Sequence, residues 1–546
     1  MTRHLFRNLI VIAACCAPVS AAWAQACPQL RPGATAREPA SISSTNGVLR
    51  ADFSFRTSVD EYGLRHYCYV YGANTISPTL RVHPGDELVL RLRNELPADG
   101  NLSAPSELPW PHAHTMTIQG ACGGGKLYAS STNLHFHGVS IAPSCHADDV
   151  LSTLVEPGAG ANGGWYEYRF RIPRDQSPGL YWYHPHPHGF SEAQVLGGAS
   201  GALIVEGVER VNPRVADAFE RLIVLRDQIL PGTDEVGEDA GPARDVTVNG
   251  VPVMFPMNRA VSLEAQAGRR EFWRVLNAAA DTYFDLQLRT AREAKDAPEA
   301  AVFEIVALDG APAEAEKVTH VLIPPGGRAE FLVTMPRGKA FAQLVTLRYD
   351  TGPAGESTPE RVLANVDWRG NAVDAGREAA VSRQAMGGGV RGLEALKPAR
   401  TRKLYFSERH QDPNDYASTA EYFITVDGET PRAFDMHSMR PNVVARQGTV
   451  EDWLIENRAP EAHNFHIHQL HFQVLERDGR QVREEALRDT IDLPFWDGKS
   501  AYPSVKLRMD FRGAEVVGLF PYHCHILEHE DGGMMGLIQV LPALKR

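Results

Sequence analysis

Four short stretches concentrate side chains that bind metals. They are His135-Phe136-His137, His184-Pro185-His186, His463-Asn464-Phe465-His466-Ile467-His468 and His523-Cys524-His525, the last followed by His529 and Met534. Together they hold ten of the 21 histidines. Residues two apart on an extended strand face the same side, so each His-x-His aims two imidazoles at one place. In the last stretch His523 and His525 share a face and Cys524 takes the other. In the third, His466 and His468 share a face, while His463 has opposite parity. If both segments are extended, parity predicts two metal centres linked by a very short covalent path.

Ligand chemistry names the metal. One thiolate, two imidazoles and a weak thioether suit a blue electron-transfer copper, which assigns Cys524, His463, His529 and Met534 to one centre. The eight remaining histidines exceed what a single structural zinc takes and suit a copper cluster. A lone His-x-His is more often a surface or core feature, and Met534 alone would read as core, as Met535 does. Four such clusters in this order, one with a cysteine between two histidines, are not an accident of composition. The other histidines carry less. His188 follows the second cluster closely and reads as a supporting residue. His112 and His114 lack a partner cluster and read as loop, and His471 reads as packing or solvent-facing. Met436-His437-Ser438-Met439 offers two thioethers that favour a cuprous ion.

These ligands need strands to hold them, and the sequence repeats one. Gly85 to Asn94 (GDELVLRLRN), Gly268 to Asn277 (GRREFWRVLN) and Gly448 to Asn457 (GTVEDWLIEN) share a layout and begin about 180 residues apart. In each, the fifth and seventh residues after glycine are apolar, the alternation of a strand with one buried face opened by a turn. Ala202–Val205, Phe331–Val333 and Leu537–Val540 are expected to close the three units. Many short strands with abundant Gly and Pro predict all-β sandwiches. The expected domains are 25–208, 209–370 and 401–546, with a connector rich in Ala, Gly and charge at 371–400.

The first residues read as an export leader, 1–24. Arg3 and Arg7 precede an apolar run from Leu9 to Ala17, and Ala22-Trp23-Ala24 offers a cleavage site before Gln25. A lipoprotein-type site at Ile12-Ala13-Ala14-Cys15 is the alternative, with little apolar sequence ahead of it. No later run reaches the ~18 apolar residues of a membrane span. A periplasmic or secreted location is therefore expected. The net charge of −12, without a basic cluster, argues against nucleic acid or an anionic membrane surface as partner. Beyond the leader remain Cys27, Cys68, Cys122, Cys145 and Cys524. In an oxidising compartment four can pair, and the odd one is Cys524. Sequence allows three pairings; Cys27–Cys68 with Cys122–Cys145 is the one expected.

Across essentially the whole mature chain, these motifs resemble those of the multicopper oxidases, a family of three cupredoxin-like Greek-key β-sandwiches that includes laccases, bilirubin oxidases and bacterial cuprous oxidases. The resemblance implies four copper ions. Cys524, His463, His529 and Met534 would hold type 1 copper, and His135 with His466 type 2. His137, His184 and His525 would hold one type 3 ion, and His186, His468 and His523 the other. It implies one-electron oxidation of a small reducing substrate at type 1 copper, with transfer through Cys524 to the cluster and reduction of dioxygen to water. Buried acids would supply protons: Glu530 beside the type 3 ions, and Asp148, with Asp149 as its alternative, beside type 2. An ordinary loop turn is the competing reading for both aspartates. The expected substrates are phenols and aromatic amines. A metallo-oxidase of cuprous or ferrous ions is the alternative, which carboxylates and methionines near His529 would favour, as an open apolar cleft would favour phenols. A copper-binding or structural protein on the same scaffold is the alternative of another class. Such relatives can lose ligands, whereas all twelve positions are filled here. A monomer is expected.

Overall fold

Three strands built on one plan anchor the fold: Glu87–Asn94, Arg270–Asn277 and Val450–Asn457. In the computed structural model, the glycine two residues before each strand has φ of 93°, 75° and 88° (Gly85, Gly268 and Gly448). That is the left-handed region, which a side chain would strain. The closing asparagine repeats a role as well. Each amide donates to two carbonyls of neighbouring loops: Asn94 to Ser130 and Val155, Asn277 to Thr282 and Ile323, Asn457 to Glu461 and Pro494. Its own oxygen accepts from the backbone two residues on, at Leu96, Ala279 and Ala459. Gly opens the strand and Asn ties its end to the loops, which explains why both recur.

The structure describes residues 26–544 except 61, 98–115, 119–121, 123–124, 128, 159–164, 230–241, 255–259, 338–340, 374–392, 417 and 485. The expected leader, most of the expected connector, and His112 and His114 lie outside the described residues. Each repeat strand pairs in parallel with the first long strand of its unit (Val48–Val59, Phe219–Ile229, Arg400–His410). On its other side it pairs antiparallel with Trp165–Arg171, Arg328–Thr334 or Ser504–Asp510. A second sheet in each unit ends on a closing strand paired in parallel with an earlier one: Gly201–Val205, Arg361–Trp368 and Met535–Leu541. The chain is thus all-β, three cupredoxin-like sandwiches, each with an apolar core between its two sheets. Phe331–Val333 does not close the second unit. It lies inside Arg328–Thr334, partnered with the repeat strand, and Arg361–Trp368 is the closing strand. A short apolar run marks any strand buried on both faces, so it could not tell the two apart.

Beside the closing strands run those that matter for chemistry. We label them β1 (His135–His137), β2 (Gly179–His184), β3 (Arg328–Thr334), β4 (His463–Ile467) and β5 (Gly518–Cys524), with the one-turn helix α1 (Leu527–Asp531) after β5. Strands β1 and β2 pair in the first unit, and β4 and β5 occupy the matching place in the third. The equivalent strands of the second unit, Phe284–Ala291 and Phe341–Leu347, hold no His or Cys. Both expected disulfides, Cys27–Cys68 and Cys122–Cys145, are formed, and Cys524 is free and buried.

Candidate metal centres

Ladder register brings the ligands of each unit together. His135 lies opposite His184 across β1 and β2, and His466 opposite His523 across β4 and β5. Cys524 lies opposite Phe465, so its sulfur points away from the His466 side and into the core of the third sandwich. There it meets His463, of the parity opposite to His466, and His529 from α1. The Cys524 Sγ is 3.6 Å from His463 Nδ1 and 3.7 Å from His529 Nδ1, and the two nitrogens are 3.1 Å apart. A point equidistant from these three atoms lies about 2.0 Å from each, close to ordinary metal–imidazole and metal–thiolate lengths. Met534 is fully buried beside them, its carbonyl accepting from the Cys524 amide at 3.1 Å. Burial pushes the Cys524 thiol well up, so its sulfur becomes an anion only where a cation replaces the proton.

The eight other histidines converge between the first and third sandwiches. His186, His468 and His523 group together, with His186 Nε2 and His468 Nε2 3.4 and 3.2 Å from His523 Nε2. His135, His137 and His184 form another group, and His135 also meets His466 and His468. All eight are buried, and burial depresses every one, with His186 at about 3 and His466 at about 4. They are therefore neutral, with a lone pair to give.

The hydrogen bonds tell which nitrogen gives it. His135 Nδ1 rests on Asp148 at 2.9 Å, His184 Nδ1 on the Pro185 carbonyl at 2.9 Å, and His466 Nδ1 on the Asp489 carbonyl at 2.8 Å. In each, Nε2 is buried without a hydrogen-bond partner. His137 is reversed: its Nε2 lies 3.2 Å from Asp489 Oδ1, and its Nδ1 is the atom without a partner. Both ring nitrogens of His525 lack one. Buried polar atoms left unpaired cost about 1–3 kcal/mol each, so this set is built for a cation. Oxygen partners on the far nitrogen fix the tautomer, as is usual for metal-binding imidazoles.

Of the acids named from sequence, Asp148 accepts from the Phe136 amide and from Gln469 Nε2 as well as contacting His135. Asp149 caps the turn at Leu151 and Ser152 instead. Glu530 is fully buried, with one oxygen 3.4 Å from His186 Nδ1 and the other 3.4 Å from His523 Nδ1. His471 contacts the Asp309 carbonyl at 3.0 Å, a specific partner rather than solvent. Met436 packs against the apolar cluster of Leu127 and Phe190, and Met439 against that of Val150, Leu151 and Leu537. His188 packs edge-on against Phe434.

Sequence reasoning missed the groups on the outer side of the sulfur site. Glu408 Oε1 lies 3.0 Å from His463 Nε2, and Glu461 Oε2 lies 3.3 Å from His529 Nε2. Burial opposes ionisation of Glu408, but its contacts with His410 and His463 hold it at about 2. The Tyr422 ring stacks on His529 at 4.3 Å. Trp182, buried in β2, stacks on His184 at 4.2 Å. Glu461 sits two residues before His463, a proximity that could have flagged it. Glu408, on a strand far back in sequence, left no such signal.

The chain is similar to known proteins along most of its length. Two family profiles, both described as multicopper oxidase, match residues 126–210 and 405–543, which include every candidate ligand. The multicopper oxidase mco of Staphylococcus epidermidis is 24% identical over 483 residues, covering 86% of this chain and 83% of its own. Among solved structures, a Campylobacter jejuni multicopper oxidase described as a metallo-oxidase superposes with a TM-score of 0.66 at 23% identity, covering 95% of this chain and 96% of the other. A laccase-like oxidase of a lignin-degrading Ochrobactrum, described as active towards lignin model compounds, does so with a TM-score of 0.62 at 20% identity, covering 92% and 100%. Residues 126–210 and 405–543 thus match multicopper oxidase domains, and the proteins the chain is similar to point to a copper-dependent oxidase that uses dioxygen as electron acceptor.

Proposed function

We propose that this chain oxidises a reduced metal cation, cuprous or ferrous, and passes its electrons to dioxygen. The observation that carries this is the pair of carboxylates, Glu408 and Glu461, on the outer nitrogens of His463 and His529. His463, Cys524, His529 and Met534 would hold type 1 copper, and His135 with His466 type 2. His137, His184 and His525 would hold one type 3 ion, and His186, His468 and His523 the second, four ions in all. When bound, copper accepts single electrons at the sulfur site and reduces dioxygen to water at the histidine cluster.

The protein's own groups do the rest. Glu528, next to His529, and Glu356 have side chains 28% and 27% exposed, while Glu461 behind them is 10% exposed. Arg244 lies among them, 2.8 Å from Glu356 and 3.9 Å from Glu528, and burial raises the pKa of Glu356, Glu461 and Glu528, so the attraction for a cation is tempered while carboxyl oxygens remain at hand to bind one. Cys524 links the two centres through its own backbone to His523 and His525, one residue either side. Burial pushes Glu530 well up, so it carries a proton at neutral pH within reach of the His186 and His523 rings. Asp148 orients His135 and is the acid on the type 2 side. A periplasmic or secreted location fits this chemistry and the two disulfides.

Oxidation of phenols or aromatic amines is the second reading, favoured by the likeness to the Ochrobactrum oxidase. Oxygen uptake by copper-loaded protein, with cuprous ion, ferrous ion and a phenol panel, separates them when repeated with Glu461→Gln. Uptake with cations that falls about tenfold in the variant, while phenol uptake holds, is the expected result. Uptake with phenols alone would overturn the metal-ion reading, and none with any donor would overturn the oxidase.

A further inference from the structure

The middle sandwich supplies no ligand, yet one of its side chains reaches the cluster. Arg328, the first residue of β3, is fully buried. A guanidinium has five N–H donors, and acceptors are in place for all five. Nε donates to the Leu180 carbonyl of the first sandwich at 3.3 Å. Nη1 donates to the Gly326 carbonyl at 3.0 Å and Asp489 Oδ1 at 2.7 Å, and Nη2 to the Asp309 carbonyl at 2.9 Å and Asp489 Oδ2 at 2.5 Å. One side chain thus touches all three sandwiches, and its fork meets the Asp489 carboxylate bidentately. Arg488, paired with Asp309 at 2.7 Å, balances the remaining buried charge.

Asp489 carries the contact onward. Its Oδ1 faces His137 Nε2 and its backbone carbonyl takes His466 Nδ1, so one residue sets two rings from different sandwiches. The packing leaves no slack. A Cβ on Gly138, directly after His137, would come within 2.5 Å of Arg328 Nη2 and 2.6 Å of Asp489 Oδ2. Gly326, with φ of 78°, lies so close to His525 that a Cβ there would sit 2.8 Å from the ring. The Pro325 carbonyl accepts from Asn464 Nδ2 at 2.5 Å.

We propose that Arg328 is a positioning residue for the copper cluster. Through Asp489 it holds His137 in the orientation that presents Nδ1, and it holds His466 in the one that presents Nε2. This rests on the eight-histidine copper reading above. Lysine has the charge but neither the fork nor five donors, so Arg328→Lys is the informative variant. Chelator competition on the loaded protein reads copper affinity, while electron paramagnetic resonance and the near-ultraviolet band read the cluster apart from the blue band of Cys524. The expected result is a 10–100-fold loss of affinity for cluster copper and altered cluster spectra, with the blue band unchanged. Asp489→Asn, which keeps one oxygen for His137, should give a smaller change of the same kind. Cluster affinity and spectra that match the unaltered protein in both variants would overturn the proposal. Loss of blue and cluster signals in step in both variants would overturn it too, because a general folding fault would then suffice. Failure of the unaltered chain to bind cluster copper would overturn the copper reading itself, and this proposal with it.

Discussion

Glu408→Gln tests whether the buried carboxylate beside His463 sets the potential of the sulfur site. The carboxylate is fully buried and held ionised, 3.0 Å from Nε2 of a ring whose Nδ1 faces Cys524. Adding the width of the ring and one metal–nitrogen bond puts the charge about 7 Å from the metal position. At an effective dielectric constant of about 20, a unit charge at that distance contributes roughly 2.4 kcal/mol. The negative charge stabilises the oxidised ion over the reduced one, so removing it raises the midpoint potential by about 100 mV. Glutamine keeps the size and an acceptor oxygen, so the ring should stay in place. Redox titration of the blue band in the variant and the parent measures the shift. A change below about 20 mV, or a fall, would refute the electrostatic reasoning and leave Glu408 as an orienting group alone.

Three further outcomes follow from the geometry. Cys524→Ser should abolish the blue absorption while leaving most cluster copper, measured by metal analysis and spectroscopy, because the cluster histidines group without Cys524; a surviving blue band would refute the assignment. Gly326→Ala should reduce cluster copper per chain, since the new methyl meets His525 and the residue must hold a positive φ. Glu271 is buried against Arg221 and Arg269 and accepts from Trp273 Nε1. Burial raises its pKa, but these partners outweigh that and bring it below the ordinary value. Its stabilisation is therefore present above the unfolded carboxylate pKa and lost as pH falls through the lowered folded one. Glu271→Gln should cost about 3 kcal/mol near pH 7, read by thermal denaturation, and the gap should close below pH 4.

What sequence made legible here was whatever depends on local spacing. Strand parity separated His463 and Cys524 from His466 and His523 because side-chain direction on a strand is set by count alone. The Gly-to-Asn repeat survived because a left-handed turn and a loop-tying amide each demand one residue type. Of the acids on the ligands' far nitrogens, Asp148 and Glu530 were named through the family resemblance rather than from spacing. Arg328 and Asp489 look like surface charges in a linear reading, since nothing near them announces burial at a junction of three sandwiches. Phe331–Val333 misled for the converse reason: its apolar run is real, but many places in a sandwich call for one.

The two centres differ in how much chain must exist before they close. In the proposed assignment the sulfur site takes all its ligands from His463 to Met534, within the last sandwich. The cluster draws on His135 at one end and His525 at the other, with Arg328 between. Copper in the first can bind and stabilise a single sandwich, whereas copper in the second bridges ends of the chain that no disulfide joins. Ligand that binds only the folded form adds its binding energy to the joint it spans. Cluster copper should therefore act as a clasp between the first and last sandwiches. Stripping it should weaken their association, which Arg328 and the apolar contacts between units still support, while the blue site stays intact.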